Sequence, residues 1–173
     1  MNLQPVLQNE LVTAVPLQQK DFDALYEAAN DPLIWEQHPN KNRWQLPEFT
    51  NYFKGAMESG GAFLVTDTKT GEVIGSSRYV DDKERGELSI GYTFFKRSHW
   101  GTGHNKALKK LMLDHAFQFT DTVYFYIGAI NKRSQIAITR IGAKKIREEE
   151  TAYYGEAPKM DYVYAIEKKD WVI

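Results

Sequence analysis

Apolar and polar positions run through this chain in two rhythms, and the changes of rhythm outline its elements. Residues 11–17 form a short apolar run that predicts a first strand. Between Lys20 and Asn30 the period lengthens: Phe22, Leu25, Tyr26 and Ala29 recur at three- and four-residue spacing, as on a helix with one buried side. Asp31-Pro32 ends that helix, because a residue before proline is pushed out of helical backbone angles. Residues 33–45 are rich in Trp, His, Pro and Asn and read as loop or irregular helix. Residues 47–60 predict a second helix, opened by proline and closed by glycine. Residues 62–68 and 72–80 read as hairpin strands around a Thr-Gly turn, and 87–96 as a further strand behind the polar turn DDKERG.

The helical rhythm returns within residues 94–119. Leu108, Leu111, Met112, His115, Ala116 and Phe119 share one face, while Lys109, Lys110, Asp114 and Gln118 fall outside it. Residues 122–130 are β-rich, apolar and too aromatic for a helix. Residues 131–141 form a short helix, and 143–149 and 161–166 close the chain as strands. Strands and helices alternating behind an N-terminal helical pair predict an α+β (α/β three-layer) fold around a mixed sheet.

Composition narrows the function classes. The 173 residues suit one domain with a real core, so 1–173 is read as a single unit. A hydrophobic content of 42% and a charged content of 26% are ordinary for a soluble protein. A formal net charge of −1 offers no broad positive field, which argues against a nucleic-acid partner. The chain has no Cys, which excludes a thiol nucleophile, a thiolate metal site and a disulfide. The four His are scattered along the sequence, so no metal is expected. No apolar run approaches the roughly 20 residues of a membrane span, and MNLQPVLQNE has no signal-peptide pattern; a cytoplasmic location is expected.

The chemistry concentrates at Gly101 and Gly103, just before the central helix. Glycines turn the chain tightly and let backbone N–H groups approach a bound group. A helix N-terminus adds unsatisfied donors and partial positive charge. By itself the G-x-G spacing fits either a simple turn or an anion site.

The stretch WGTGHNKALKKLMLDHAF resembles the pyrophosphate-binding motif of the GNAT (Gcn5-related N-acetyltransferase) superfamily, in the manner of its RimJ/RimL ribosomal-protein alanine N-acetyltransferase branch. Trp100, Gly101, Thr102, Gly103, His104 and Asn105 occupy the motif in turn. Trp100 stands where Arg or Gln is usual, and Asn105 where Gly or Ala is commonest. Asn131-x-x-Ser134, followed by Ile138 and Ile141-Gly142-Ala143, resembles a second family segment; the same residues also suit an N-cap and a C-terminal stop. The resemblance implies a mostly antiparallel central sheet flanked by helices, acetyl-CoA as cofactor, and acetyl transfer to a primary amine.

Carried onto this sequence, the resemblance implies cofactor contacts at residues 100–105 and Lys106, at Asn131, and along the main chain of Thr93, Phe94 and Phe95. His99 and His104 flank the turn and are candidates to hydrogen-bond phosphate. Ser134 takes the position of the acid that protonates the departing thiolate. Glu87, at the matching distance before the glycines, takes that of the base. Trp35, His38, Trp44, Tyr153 and Tyr154 are candidates for an aromatic acceptor mouth, with core packing as the alternative for each. The expected partner is a small-molecule or peptide amine, such as a protein N-terminal α-amine on a ribosomal protein, bound by a monomer or homodimer. A non-catalytic acyl-CoA sensor on the same fold remains the alternative.

Overall fold

Ala62, Phe63, Leu64 and Val65 are all buried, yet they divide between two apolar clusters: Phe63 and Val65 join one, Ala62 and Leu64 the other. Successive strand side chains point to opposite faces. A strand buried throughout therefore has a covered face on each side, and the molecule has three layers.

The computed structural model describes residues 1–152 and 155–171. In chain order the elements are β1 (Leu7–Gln8), β2 (Val12–Pro16), α1 (Phe22–Ala29), α2 (Leu46–Ser59), β3 (Ala62–Asp67), β4 (Val73–Asp82) and β5 (Glu87–Phe95). They continue with α3 (His104–Ala116), β6 (Thr122–Gly128), α4 (Lys132–Arg140), β7 (Lys144–Thr151) and β8 (Lys159–Glu167). The strands form one sheet in the order β1-β2-β3-β4-β5-β6-β8-β7. Every neighbouring pair is antiparallel except β5 and β6, which run parallel because the α3 crossover joins them. The mixed, mostly antiparallel three-layer expectation holds.

One face carries α3 and α4. Leu108, Met112, Leu113, Ala116 and Ile138 pack there with Ile90, Val123 and Phe125 of the sheet. The other carries α1 and α2, with Leu25, Ala29, Phe49, Tyr52 and Phe53 against Leu64 and Phe94. Each large apolar side chain so buried contributes about 1.5–3 kcal/mol.

Several boundaries differ from the sequence expectation for identifiable reasons. Lys20 lies in a short 3-10 turn, Gln19–Asp21, in which Gln18 N–H donates to Asp21 Oδ2 at 2.8 Å, so α1 starts at Phe22. The helix α3 ends at Ala116, leaving Phe119 55% exposed, and Leu113 takes the buried place expected for it. Lys109, placed outside the apolar stripe, is buried. Two-residue β1 has no sequence rhythm to announce it.

Between β4 and β5 the register slips: Ser76 faces Phe94 but Arg78 faces Gly91. The spare residue in β5 is a bulge, and Tyr92 adopts φ 53 there. Tyr52 Oη donates to Tyr92 O at 2.8 Å, and the Arg78 guanidinium lies 3.9 Å from the centre of the Tyr92 ring. Gly75 sits beside this kink because a Cβ there would lie 2.1 Å from Phe94 O.

Candidate functional site

The bulge re-aims the end of β5, and β5 and β6 share one registered pair, Ser89↔Tyr124. Beyond it a cavity of about 1100 Å³ opens between them. Residues 90–95 line one side and 125–128 the other. On the β4 side the end of β5 stays paired, Phe95 with Gly75 and Phe94 with Ser76. Its other edge faces the cavity, where an extended ligand can add as a strand does.

At one end of the cavity the glycine turn feeds α3. Gly101 has φ +70 and Gly103, the residue preceding the helix, φ +88; side chains at both would be strained. The first N–H groups of α3 have no partners inside the helix, the arrangement that favours an anion. Trp100, Gly101, Gly103, Asn105 and Lys106 line the cavity together with Thr93, Phe94, Phe95, Asn131 and Ser134. Trp100 is braced by Nε1–H donating to Phe95 O at 3.0 Å and by the Arg133 guanidinium 4.1 Å from its ring centre. Asn131 caps α4, its side-chain oxygen accepting from Ser134 N at 3.2 Å.

Thr102 and His104 are turned elsewhere. Thr102 Oγ1 donates to His99 O at 2.6 Å and lies 2.7 Å from His104 Nδ1. His104 Nε2 and His99 Nε2 both face Asp67 Oδ2, at 3.0 and 3.2 Å. The Nε2 atoms of both imidazoles thus face the end of β3, and His99 also lines the cavity. Asp67 Oδ1 accepts from the N–H groups of Lys69 and Thr70. Those amides, Thr70's foremost, together with the imidazoles hold its carboxyl down at about 2.

Glu87 lies beside the cavity inside a charged network. Its oxygens accept from Arg147 Nη2, at 2.9 Å each, and from Tyr126 Oη. Arg147 also reaches Glu149 at 2.8 Å, and Glu149 accepts from Arg85 at 2.7 Å. Burial, and then the bond to Glu87, raise the Tyr126 phenol pKa, so Tyr126 remains a donor. Deeper in, Lys109 Nζ donates to Thr93 Oγ1 at 2.7 Å, and burial lowers its pKa to about 7.

The opposite mouth is built from the loop after α1. Trp35 and His38 line it, but Trp35 is mainly a core residue, its Nε1–H donating to Ala29 O at 3.0 Å and its ring 5.2 Å from that of Phe94. Burial, then Arg43, lowers the His38 pKa to about 3, so its ring is neutral. Arg43, 2% exposed, reaches Glu156 at 2.6 Å, and among the described residues its Nε has no hydrogen-bond partner. Trp44 packs half-buried against the α1–α2 core and is not a cavity residue. Tyr153 and Tyr154 lie outside the described residues.

Tyr126, Arg147, Lys109 and Arg43 were not legible as site residues in the sequence. Each is an ordinary residue of a strand, helix or loop until the chain folds; only the Tyr124–Tyr126 alternation hinted at a shared strand face.

Comparison with known proteins bears on this geometry. The family model described as acetyltransferase (GNAT) domain matches residues 12–144. Among curated proteins none matches the sequence. A GCN5-related N-acetyltransferase from Brucella melitensis superposes with a TM-score of 0.82 at 16% identity, over 97% of this chain and 80% of that one. A probable acetyltransferase (GNAT family) from Chromobacterium violaceum gives 0.81 at 18%, over 96% and 87%. A putative acetyltransferase from T. thermophilus gives 0.74 at 23%, over 96% and 90%. With the family model spanning most of the sequence and the fold shared throughout, the chain belongs to the GNAT family of acetyltransferases.

Proposed function

We propose that this protein transfers an acetyl group from acetyl-CoA to a primary amine, such as the N-terminal α-amine of a peptide or protein, by direct attack in a ternary complex. The observation that carries the reading is the cavity itself. One continuous space joins the glycine turn, the free edge of β5, Ser134, Glu87 and the mouth at Trp35 and His38. Its volume, about 1100 Å³, leaves room for an extended cofactor from one end and an acceptor from the other.

Acetyl-CoA, when bound, supplies a thioester whose carbonyl carbon a neutral amine can attack. The residues present fit it: positive-φ glycines and the amides opening α3 for the diphosphate, the main chain of Thr93, Phe94 and Phe95 for the pantetheine arm, and Asn131 beside it. Trp100, Thr102, His104, Asn105 and Lys106 shape the turn around the diphosphate. Glu87 accepts the ammonium proton, directly or through Tyr126 or a water. Ser134 would hold the departing sulfur by its hydroxyl and pass it a proton drawn from solvent water, so that the hydroxyl is restored. Confinement between β5 and β6 supplies the approach geometry, the largest part of what such a transfer needs. The RimJ/RimL resemblance makes a ribosomal protein one candidate acceptor.

A second reading, a non-catalytic acyl-CoA-binding module, is favoured by one observation: Arg147 and Tyr126 occupy both oxygens of Glu87. Titration calorimetry with acetyl-CoA and ADP, followed by thiol release with peptides bearing free N-termini, separates the two. The enzyme binds acetyl-CoA more tightly than ADP and releases thiol, and Glu87→Gln loses about 100-fold or more in turnover while keeping cofactor affinity. Binding without thiol release for any amine points to the module. Undiminished turnover in Glu87→Gln removes Glu87 as base, and absence of acetyl-CoA binding sinks both readings.

A further inference from the structure

The cluster formed by Asp67, His99 and His104 transfers no proton in the chemistry above, and its hydrogen bonds do not close. Asp67 ends β3, His99 precedes the glycine turn and His104 opens α3, so tertiary folding alone unites them. Their ligand atoms all lie within 4.8 Å of one another.

Thr102 defines the hydrogen count. Its single hydroxyl hydrogen goes to His99 O, at 2.6 Å, since a carbonyl can only accept. Toward His104 Nδ1, at 2.7 Å, Thr102 Oγ1 must therefore accept, which places a proton on Nδ1. A neutral imidazole protonated at Nδ1 presents a bare lone pair at Nε2. That lone pair faces the Asp67 oxygen at 3.0 Å, and His99 Nε2 faces the same oxygen at 3.2 Å. Two lone pairs at that distance repel unless a second proton or a cation lies between them.

The remaining atoms favour the cation. His99 Nδ1 has Ser98 Oγ at 2.9 Å, as His104 Nδ1 has Thr102. Asp67 Oδ1 is held by two backbone amides. Each inward-facing atom thus has an outer neighbour already engaged, the support that orients metal-bound histidines and carboxylates. Ligands about 2.0–2.1 Å from one tetrahedral ion lie about 3.3 Å apart; Asp67 Oδ2 stands near that distance from each Nε2, and the set, spanning up to 4.8 Å, closes around an ion when the imidazoles shift inward. Two imidazoles and a carboxylate are borderline donors that suit zinc, with a fourth position left for water.

We propose that Asp67, His99 and His104 bind a divalent transition-metal ion, with zinc as the fitting chemistry, and that the ion pins the glycine turn to the β3–β4 turn. Scattered histidine spacing argued against a metal in the sequence because Asp67 arrives from a different element.

The test uses chelator-stripped full-length protein. Zn²⁺ titrated against a chromophoric chelator should bind at one ion per chain, and Asp67→Asn and His99→Gln should each weaken it at least tenfold. Co²⁺ in the same site should give visible d–d absorption bands that both variants lose. Saturating Zn²⁺ should raise the wild-type Tm by roughly 5–10 °C. Should a variant fail to fold, the wild-type Co²⁺ bands and stoichiometry decide. No saturable one-to-one binding, or equal binding by folded variants, overturns the proposal and leaves a carboxylate bridged to a doubly protonated His104.

Discussion

Lys109 carries an amine into the layer between α3 and the sheet, where Nζ reaches Thr93 Oγ1 at 2.7 Å and burial lowers its pKa from 10.5 to about 7. The unfolded chain therefore holds more protons than the folded one between about pH 7 and 10.5, and stability must rise with pH across that window. Below pH 7 the penalty is constant and complete. Lys109→Met removes it, so chemical denaturation at pH 7 and pH 10 should show wild type gaining a few kcal/mol with pH while the variant stays nearly flat. Parallel curves for the two proteins would show that the amine is solvated after all. Neighbouring Thr93 accepts the Lys109 bond and also lies 2.7 Å from Ser77 Oγ, and Lys109 and Thr93 both line the cavity.

Among the elements, the decisive feature is the kink in β5. A regular β5 could continue its parallel pairing with β6; the bulge at Tyr92 ends that pairing after Ser89↔Tyr124. Tyr52 and Arg78 hold the kink, and Gly75 lets β4 follow it closely. Gly75→Ala drives a Cβ into Phe94 O, which is backbone and cannot rotate away. A loss of about 2–4 kcal/mol is expected, read as a Tm lower by roughly 4–16 °C. Gly91→Ala on the facing strand has nothing within 4 Å of the added carbon and should change Tm little. Equal effects of the two substitutions would mean that β4 and β5 are not held this closely. The helix α4 is tied to the same region, with Gln135 Nε2 donating to Gly128 O and Ala129 O at 3.1 and 3.0 Å.

Across the molecule, the cavity divides the sheet into a β1–β5 part and a β6–β8 part that meet at one strand pair and through the layer of α3 and α4. A ligand filling that gap bridges both parts and binds only the folded state. At one hundred times its dissociation constant acetyl-CoA should add about 2.7 kcal/mol of stability, or roughly 5–11 °C in Tm. ADP, which lacks the pantetheine arm, should add less at the same concentration. A melt unmoved by acetyl-CoA would mean that the gap is not its site. Among the described residues no helix is long and apolar enough to cross a membrane.

The elements and their order were already legible along the chain, because periodicity is a local property: the Leu108–Met112 spacing marks α3, and alternation with flanking turns marks the strands. Gly101 and Gly103 were legible too, since backbone that needs positive φ selects glycine locally. Where the polar side chains go was settled only by folding. Lys109 reads as a solvent-facing helix residue until β5 closes over it. His104 reads as a phosphate ligand until Asp67 arrives from β3, and Glu87 as a free carboxylate until Arg147 arrives from β7. Long-range pairing of charges depends on which strands become neighbours, and the order β5-β6-β8-β7 follows from no local pattern.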